Sequence, residues 1–360
     1  MITYLLGSFI LSTLCGFVFT PVILDFCKRK KLYDIPNDRK VHKNAIPRMG
    51  GISFFPCMLV SFMTVLLFIP NTGYQQIPVN VWTVSSLLGL VLIYAVGIVD
   101  DLVGLNATTK FIVQIIAASL LPLAGLYINN MYGLFGIHEI PFFIGCPLTV
   151  FAIVFIVNAI NLIDGIDGLA AGLTILALAG FLAYFICYGV FINTYNIMIV
   201  GMMGALTAFL YFNLFGTTER NNKIFMGDSG SLSLGFLLGF FSIKCAMNNE
   251  NIWPVRQDAI IVPLTLLFVP IADVVRVSLH RLRNRRPLFL ADKNHFHHKL
   301  LRMGLTQHQA LIFILSVAIG FIVLNWMLYT IIPQTFIVII DIALYSCLHI
   351  VVSKKIKAEA

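Results

Sequence analysis

Charge is what this 360-residue chain has least of. Asp, Glu, Lys and Arg make up 11% of it, whereas hydrophobic residues make up 59% and mean hydropathy is +0.92. A soluble domain carries about a quarter charged residues. The scarcity excludes a soluble globular fold, because a chain of this size cannot hide so much apolar surface from water. No polar stretch exceeds roughly thirty residues, which excludes a separate soluble domain. There is no CxxC pair. The seven cysteines, at 15, 27, 57, 146, 187, 245 and 347, lie in or beside apolar runs. They read as small packing residues, not as a disulfide framework or zinc ligands. No basic segment precedes the first apolar run, which is too long for a secretory leader and ends in Lys28-Arg29-Lys30-Lys31. It is expected to be a membrane span that is not cleaved.

What the chain does have is long apolar runs. About 20 such residues cross a bilayer. Eleven candidates occur, at 2–26, 50–70, 80–99, 109–128, 144–163, 166–190, 194–215, 229–248, 257–279, 309–331 and 334–353. The weakest boundary, Asn161 to Gly168, separates the fifth from the sixth. Backbone groups in lipid need internal partners, so the runs are expected to be helices. The expected fold is an all-α polytopic integral membrane protein of about eleven transmembrane helices, or ten, forming a single domain over 1–360. With the N-terminus outside and the C-terminus cytoplasmic, 22 of the 24 Lys and Arg fall on the inner side, leaving only Lys244 and Arg256 outside. The positive-inside rule fixes the orientation accordingly. Loops 27–49, 100–110, 161–168, 216–228 and 280–308 then form one cytoplasmic face. Topogenesis and anchoring on anionic lipid account for Lys28 to Lys31 and the C-terminal lysines.

They do not account for the acids. Charged side chains near a membrane core are costly and usually functional. Six of the sixteen acidic residues sit at inner ends of spans: Asp100 and Asp101 in GIVDDLVG, Asp164 and Asp167 in NAINLIDGIDGLA, Asp228 in FMGDSGS, and Asp273. Asp164 and Asp167, three apart, would share a helical face. Each is followed by a glycine, which lets backbone approach a ligand. For Asp228 a plain helix N-cap is an equal alternative. Carboxylates gathered on one face need a counter-charge. Magnesium takes oxygen ligands, typically one or two carboxylates plus substrate phosphates, and neutralises charge on a transferring phosphoryl group. With basic loops on the same face, the pattern points to phosphoryl transfer.

The loop 280–308, HRLRNRRPLFLADKNHFHHKLLRMGLTQH, holds seven Lys or Arg and five of the eight histidines. A zinc helix usually places histidines four apart around a glutamate, and this loop has no glutamate. The better reading is a polar cap in which His295, His297 and His298, with Arg285 and Arg286, bind pyrophosphate; the alternative, a solvated basic loop, fits Arg281 to Arg286 better than it fits the histidines. In YDIPNDRKVHKNAIPRMGG, Arg39, His42, Lys43 and Arg48 can reach a lipid phosphate, with membrane anchoring as the alternative.

These motifs occur in the order of one family. DIPNDRKVHKNAIPRMGG, DDLVG, Lys110 in NATTKFIVQ, NAINLIDGIDGLAAG, FMGDSGS and RRPLFLADKNHFHHKLLRMGL run from Asp34 to about Leu305. The chain resembles the polyprenyl-phosphate N-acetylhexosamine-1-phosphate transferases, and within them the WecA and TagO branch that takes UDP-GlcNAc. The resemblance implies ten or eleven helices and a bacterial inner-membrane location with the active site facing the cytoplasm. It implies transfer of a sugar 1-phosphate, here GlcNAc-1-phosphate, from a UDP-N-acetylhexosamine to undecaprenyl phosphate. UMP would leave, and a lipid-linked sugar pyrophosphate would initiate surface-polysaccharide synthesis. The cofactor implied is Mg2+, with Mn2+ as a substitute. Partners are the two substrates and the lipid bilayer, with no nucleic acid and with a homodimer left open.

Residue roles follow the same resemblance. Asp228 matches a magnesium-binding aspartate. Asp100 and Asp101 match an Asp pair near the metal and the attacking lipid phosphate, with Asp101 a second candidate ligand. Asn161, Asp164 and Asp167 match the motif at the nucleotide and catalytic centre. Lys110 matches a lysine of the same cleft. His295, His297 and His298 match the histidines near the donor pyrophosphate, with His297 catalytic. Many relatives have DDxxD; here Gly104 replaces the third aspartate, so that carboxylate has no role in this chain. The alternatives are a UDP-MurNAc-pentapeptide phosphotransferase, a transporter of nucleotide sugars or organic anions, and a scaffold that binds lipid phosphate. Asp341, inside the last span, fits none of the roles above.

Overall fold

The computed structural model describes residues 2–34, 45–68, 79–188, 194–249, 256–285, 287 and 294–358. It is built almost wholly of helices, with two short antiparallel hairpins. In chain order they are α1 (Ile2–Lys30), β1 (Tyr33–Asp34), β2 (Ile46–Pro47), α2 (Phe54–Phe68), α3 (Val81–Val103), α4 (Ala107–Leu123), β3 (Asn130–Leu134), β4 (Ile137–Glu139), α5 (Phe142–Ile163), α6 (Leu169–Cys187), α7 (Thr194–Leu214), α8 (Asp228–Ala246), α9 (Ile261–Leu266), α10 (Phe268–Arg283), α11 (Phe296–Arg302), α12 (Gln307–Leu328) and α13 (Gln334–Ala358). All seven cysteines are free thiols.

Among the described residues nine helices are long and apolar enough to cross a membrane. They correspond to nine of the eleven expected spans. The other two differ from expectation for local reasons. The run at 109–128 forms only the 17-residue α4: Asn106 caps its start, accepting the N–H of Thr109, and the chain turns at Gly125 with φ +82°. The run at 257–279 is split into α9 and α10 at Leu267, which leaves helical geometry at φ −107°, ψ 10°. Pro263 and Pro270 flank the split, and each removes a backbone donor from the ladder.

Contacts sort the helix ends into two groups. At one end, Lys28 Nζ donates to Asn221 O, Gly51 N to Met226 O, and Lys299 Nζ to Ser353 Oγ. At the other, Trp82 Nε1 donates to Ala124 O, Asn129 pairs with Asn248, and Gln334 Nε2 donates to Tyr132 O and Gln257 O. The chain alternates between the ends, so α1 starts at the second end and α13 finishes at the first.

α8 is the axis. It is the least apolar of the nine spans, yet the described window within it is wholly buried. Its neighbours are α3 and α5, with α6 and a 3-10 turn at Gly50–Ser53. Small residues permit this, as in membrane helix packing generally. The tightest approach is at Gly51, where an added Cβ would lie 2.1 Å from the Cα of Gly230. The 3-10 turn is tied to the segment before α8 by Gly50 N to Phe225 O and Gly51 N to Met226 O, each 2.8 Å. Leu6, Leu14 and Val18 of α1, Leu88 of α3 and Trp326 of α12 are exposed and form lipid-facing surface.

Gly51→Ala should therefore force the turn away from α8 and destabilise the fold by about 1–3 kcal/mol. Thermal unfolding in detergent should show the lowered midpoint. An unchanged midpoint would mean that the contact is easily relaxed.

Candidate active site

The start of α8 organises the first end of the bundle. Asp101, in the last turn of α3, is 3% exposed and accepts the backbone N–H of Asp228 at 2.9 Å and of Ser229 at 3.0 Å. Its carboxylate caps α8 from a different helix, where the helix dipole favours negative charge. Asp228 is thereby held with its side chain free of the capping task. Lys110, in the first turn of α4, bridges two acids: Nζ lies 2.7 Å from Asp228 Oδ2 and 3.1 Å from Asp100 Oδ2. Asp100 Oδ1 also accepts the N–H of Leu105 at 2.6 Å, closing the turn between α3 and α4. Asn161, near the end of α5, donates to Asp228 Oδ1 at 3.0 Å and to Ser231 Oγ at 2.8 Å. Four helices thus converge on one carboxylate.

The break between α5 and α6 supplies the next wall. Asp164 ends α5 and has no hydrogen-bond or ion-pair partner among the described residues. Burial first, then the charges of Asp228, Asp167 and Asp101, push its carboxyl up to about 7. Asp167 pairs with Lys223 at 2.6 Å. Lys223 also donates to Asn213 O at 2.8 Å, and Asn213 Oδ1 accepts the N–H of Gly168 at 2.7 Å. Asn213 therefore splices the end of α7 to the start of α6.

The histidines approach from α11. Asp273, fully buried in α10, accepts from Arg276 at 2.9 Å and from the N–H of Phe296 at 3.0 Å, and its Oδ2 lies 2.8 Å from His295 Nδ1. This fixes the entry to α11. His295 consequently serves the scaffold, while the next two histidines face the loops. His297 is 1% exposed, with both ring nitrogens lacking partners. Its ring lies against Gly165, where an added Cβ would sit 2.1 Å from Nε2, so only glycine at 165 admits the imidazole. Burial, followed by the neighbouring His298, pulls the His297 pKa down to about 3, leaving it neutral at physiological pH. The ring centroids of His297 and His298 are 4.2 Å apart.

These groups surround a cavity of about 490 Å³. Of the residues singled out from sequence, Asp101, Asn161, Asp164, Asp167, Asp228 and His298 line it. Lys110 and Asp100 stand behind Asp228, and His297 behind Gly165. Arg285 is exposed at the end of α10 and lines no part of the cavity. Arg39, His42, Lys43 and Arg286 lie outside the described residues.

A family model described as glycosyl transferase family 4 matches residues 83–246. A relative from Bacillus subtilis (strain 168), the probable undecaprenyl-phosphate N-acetylglucosaminyl 1-phosphate transferase, is 31% identical over 324 residues, covering 88% of this chain and 82% of that protein. The chain belongs to glycosyl transferase family 4. The undecaprenyl-phosphate alpha-N-acetylglucosaminyl 1-phosphate transferases of Escherichia coli (strain K12) and Yersinia pestis are each 30% identical to it. They cover 83% and 79% of this chain, and 78% and 73% of their own length.

In this family 4 chain the cavity also has walls that sequence reasoning did not assign to the site. Asp34, Asn213 and Lys223 line it, as does Arg48, read from sequence only as a lipid-phosphate contact. In the sequence Lys223 is one of the 22 cations on the inner side, and what distinguishes it is its place five residues before Asp228. Among the described residues no set of three or more His, Cys, Asp and Glu side chains is arranged to hold a metal alone. The donors nevertheless suit a hard cation that keeps phosphate and water ligands: Asp228 and the unpartnered Asp164 face the same cavity. Asp101, the second expected ligand, also lines the cavity; its two oxygens accept backbone N–H groups of α8, as those of Asp228 accept from Asn161 and Lys110.

The raised pKa of Asp164 has a definite sign. In the folded protein this carboxyl holds a proton up to about 7, against an ordinary value of 3.8. Its contribution to stability is complete below the ordinary value and is lost as pH rises through about 7. In EDTA the thermal midpoint should fall between pH 5 and pH 8, and Asp164→Asn should flatten that slope. Equal slopes would remove Asp164 as the cause.

Proposed function

We propose that this chain transfers GlcNAc-1-phosphate from UDP-GlcNAc to undecaprenyl phosphate, releasing UMP. The observation that carries the reading is the meeting of Asp164 and Asp167, from the break between α5 and α6, with Lys223 and Asp228, from the segment leading into α8, around one cavity, with Lys110 paired to Asp228 behind it. The names of the relatives support undecaprenyl phosphate as acceptor and N-acetylglucosaminyl 1-phosphate as the group transferred. The lipid phosphate is the nucleophile and attacks the phosphorus that bears the sugar. A phosphomonoester has a second pKa of about 6 and is mostly dianionic at neutral pH. A strong general base is therefore unnecessary, and a single displacement suffices. Lys110 and Lys223 offer ammonium groups to phosphate oxygens. His298 lines the cavity as a donor toward the pyrophosphate, with neutral His297 packed behind it.

Magnesium fits the acidic donors. Asp228 and Asp164 would hold it, and it would supply Lewis-acid neutralisation of charge on the phosphoryl group and on departing UMP. Asp101 keeps the start of α8 in place. The concentration of Lys and Arg at the site end supports a cytoplasmic-facing site in the bacterial inner membrane.

The tail of the acceptor needs apolar surface beside the site. A cleft of about 560 Å³ runs between α4 and α5, from Phe111, the residue after Lys110, past Val150 and Phe151 to Leu123 and Phe142. This cleft suits a polyprenyl chain whose phosphate rests at Lys110.

Purified protein given Mg2+, undecaprenyl phosphate and a panel of UDP-sugars should release UMP with UDP-GlcNAc. Asp228→Asn should lower that rate at least about a hundredfold. UMP formed only from UDP-MurNAc-pentapeptide, or never formed, would overturn the assignment. Val150→Trp should raise KM for undecaprenyl phosphate about tenfold while leaving that for UDP-GlcNAc unchanged. Equal effects on both substrates would place the tail elsewhere.

A further inference from the structure

At the end of the bundle away from the cavity, a second polar cluster lies inside the membrane region. Asp341 of α13 is 2% exposed and Asn325 of α12 is 3% exposed. Asn325 Nδ2 donates to Asp341 Oδ2 at 2.7 Å and to Thr265 Oγ1 of α9 at 2.9 Å. That amide nitrogen is the only donor the carboxylate has among the described residues. Asp341 Oδ1 and Asn325 Oδ1 are both buried without a partner. A carboxylate at this depth with one neutral donor is costly unless something neutralises it.

The backbone beside the cluster is also short of donors. Thr265 lies five residues before Pro270, and a proline at 270 has no N–H to offer the carbonyl of Leu266. α9 ends at that residue, and α10 begins after Leu267. Two buried side-chain oxygens, Asp341 Oδ1 and Asn325 Oδ1, therefore lie without a partner beside a helix break. Membrane proteins use such breaks, with freed carbonyls and buried carboxylates, to hold small cations. One proton would join these two oxygens to each other; a cation would draw on both of them and on a lone pair of Thr265 Oγ1. A single carboxylate balances a single positive charge, so a divalent ion would leave net charge in the bilayer.

We propose that a monovalent cation of the sodium class binds among Asp341, Asn325 and Thr265, clasping α9, α12 and α13 together. The site is structural and distinct from the phosphate cavity, so it stands or falls independently of the proposed transfer reaction.

The test is thermal unfolding of the full-length protein in detergent, with NaCl replacing choline chloride at constant ionic strength and fixed pH. The midpoint should rise with sodium by about 2–4 °C once the ion is in roughly tenfold excess over its dissociation constant. Asp341→Asn should abolish the rise. Thr265→Val, which retains the carboxylate, should shift it to higher sodium concentration. Should Asp341→Asn not fold, the Thr265→Val shift decides. A midpoint indifferent to sodium but responsive to pH overturns the proposal in favour of a protonated Asp341 paired with Asn325. A sodium response that both variants retain overturns it in favour of another site.

Discussion

The carboxylate of Asp101 on the first N–H groups of α8 is the contact on which the rest of the site depends. α8 enters the bundle at the point where the cavity must be, and a buried helix start carries donors that need acceptors. Supplying the acceptor from α3 does two things. It satisfies the helix end without water, and it leaves the side chain of Asp228, itself a candidate cap, free to face the cavity. Around that fixed point the cations take their places: Lys110 between Asp100 and Asp228, and Lys223 between Asp167 and the end of α7. Acids and bases alternate across the site, which is how so many carboxylates share a partly dehydrated space.

Asp164 stands outside the alternation. Asp164 has neighbouring carboxylates and no cationic partner among the described residues, and its proton affinity rises in consequence. The histidines are organised by a separate device. Asp273 grips the N-terminal side of α11, and His297 slides against a glycine in the loop that carries Asp164. The wall from the C-terminal third of the chain is thus keyed to the wall from the middle by shape, and not by charge.

The aspartates were legible in the sequence because the chain is otherwise so poor in charge; each stood out against lipid-facing residues. Their meeting was implied by topology, since alternate loops return to one side. What escaped notice had weaker contrast. Lys223 merged with the basic loops that set orientation, and Asp34 sat in a segment read for its cations. The division of labour between Asp100, Asp101 and Asp228 was not readable at all, because it depends on which backbone donors each carboxylate meets. The run at 257–279 passed as one span on hydropathy alone, although Pro263 and Pro270 already marked its break. Asp341 had no account until Asn325 and Thr265 were seen beside it, contributed by helices 16 and 76 residues away in sequence.

The walls of the cavity come from Asp34 near the beginning of the chain and from His298 and Gln307 near its end. A ribosome delivers these in order, and membrane helices insert as they emerge. Most of the acidic residues would therefore be in the bilayer well before the histidine segment arrives to roof them. During that interval the half-built enzyme presents anionic groups without the cap that closes over them. Completion is deferred to the final helices, so a prematurely terminated chain would contain most of the acidic centre yet lack the enclosure in which it works.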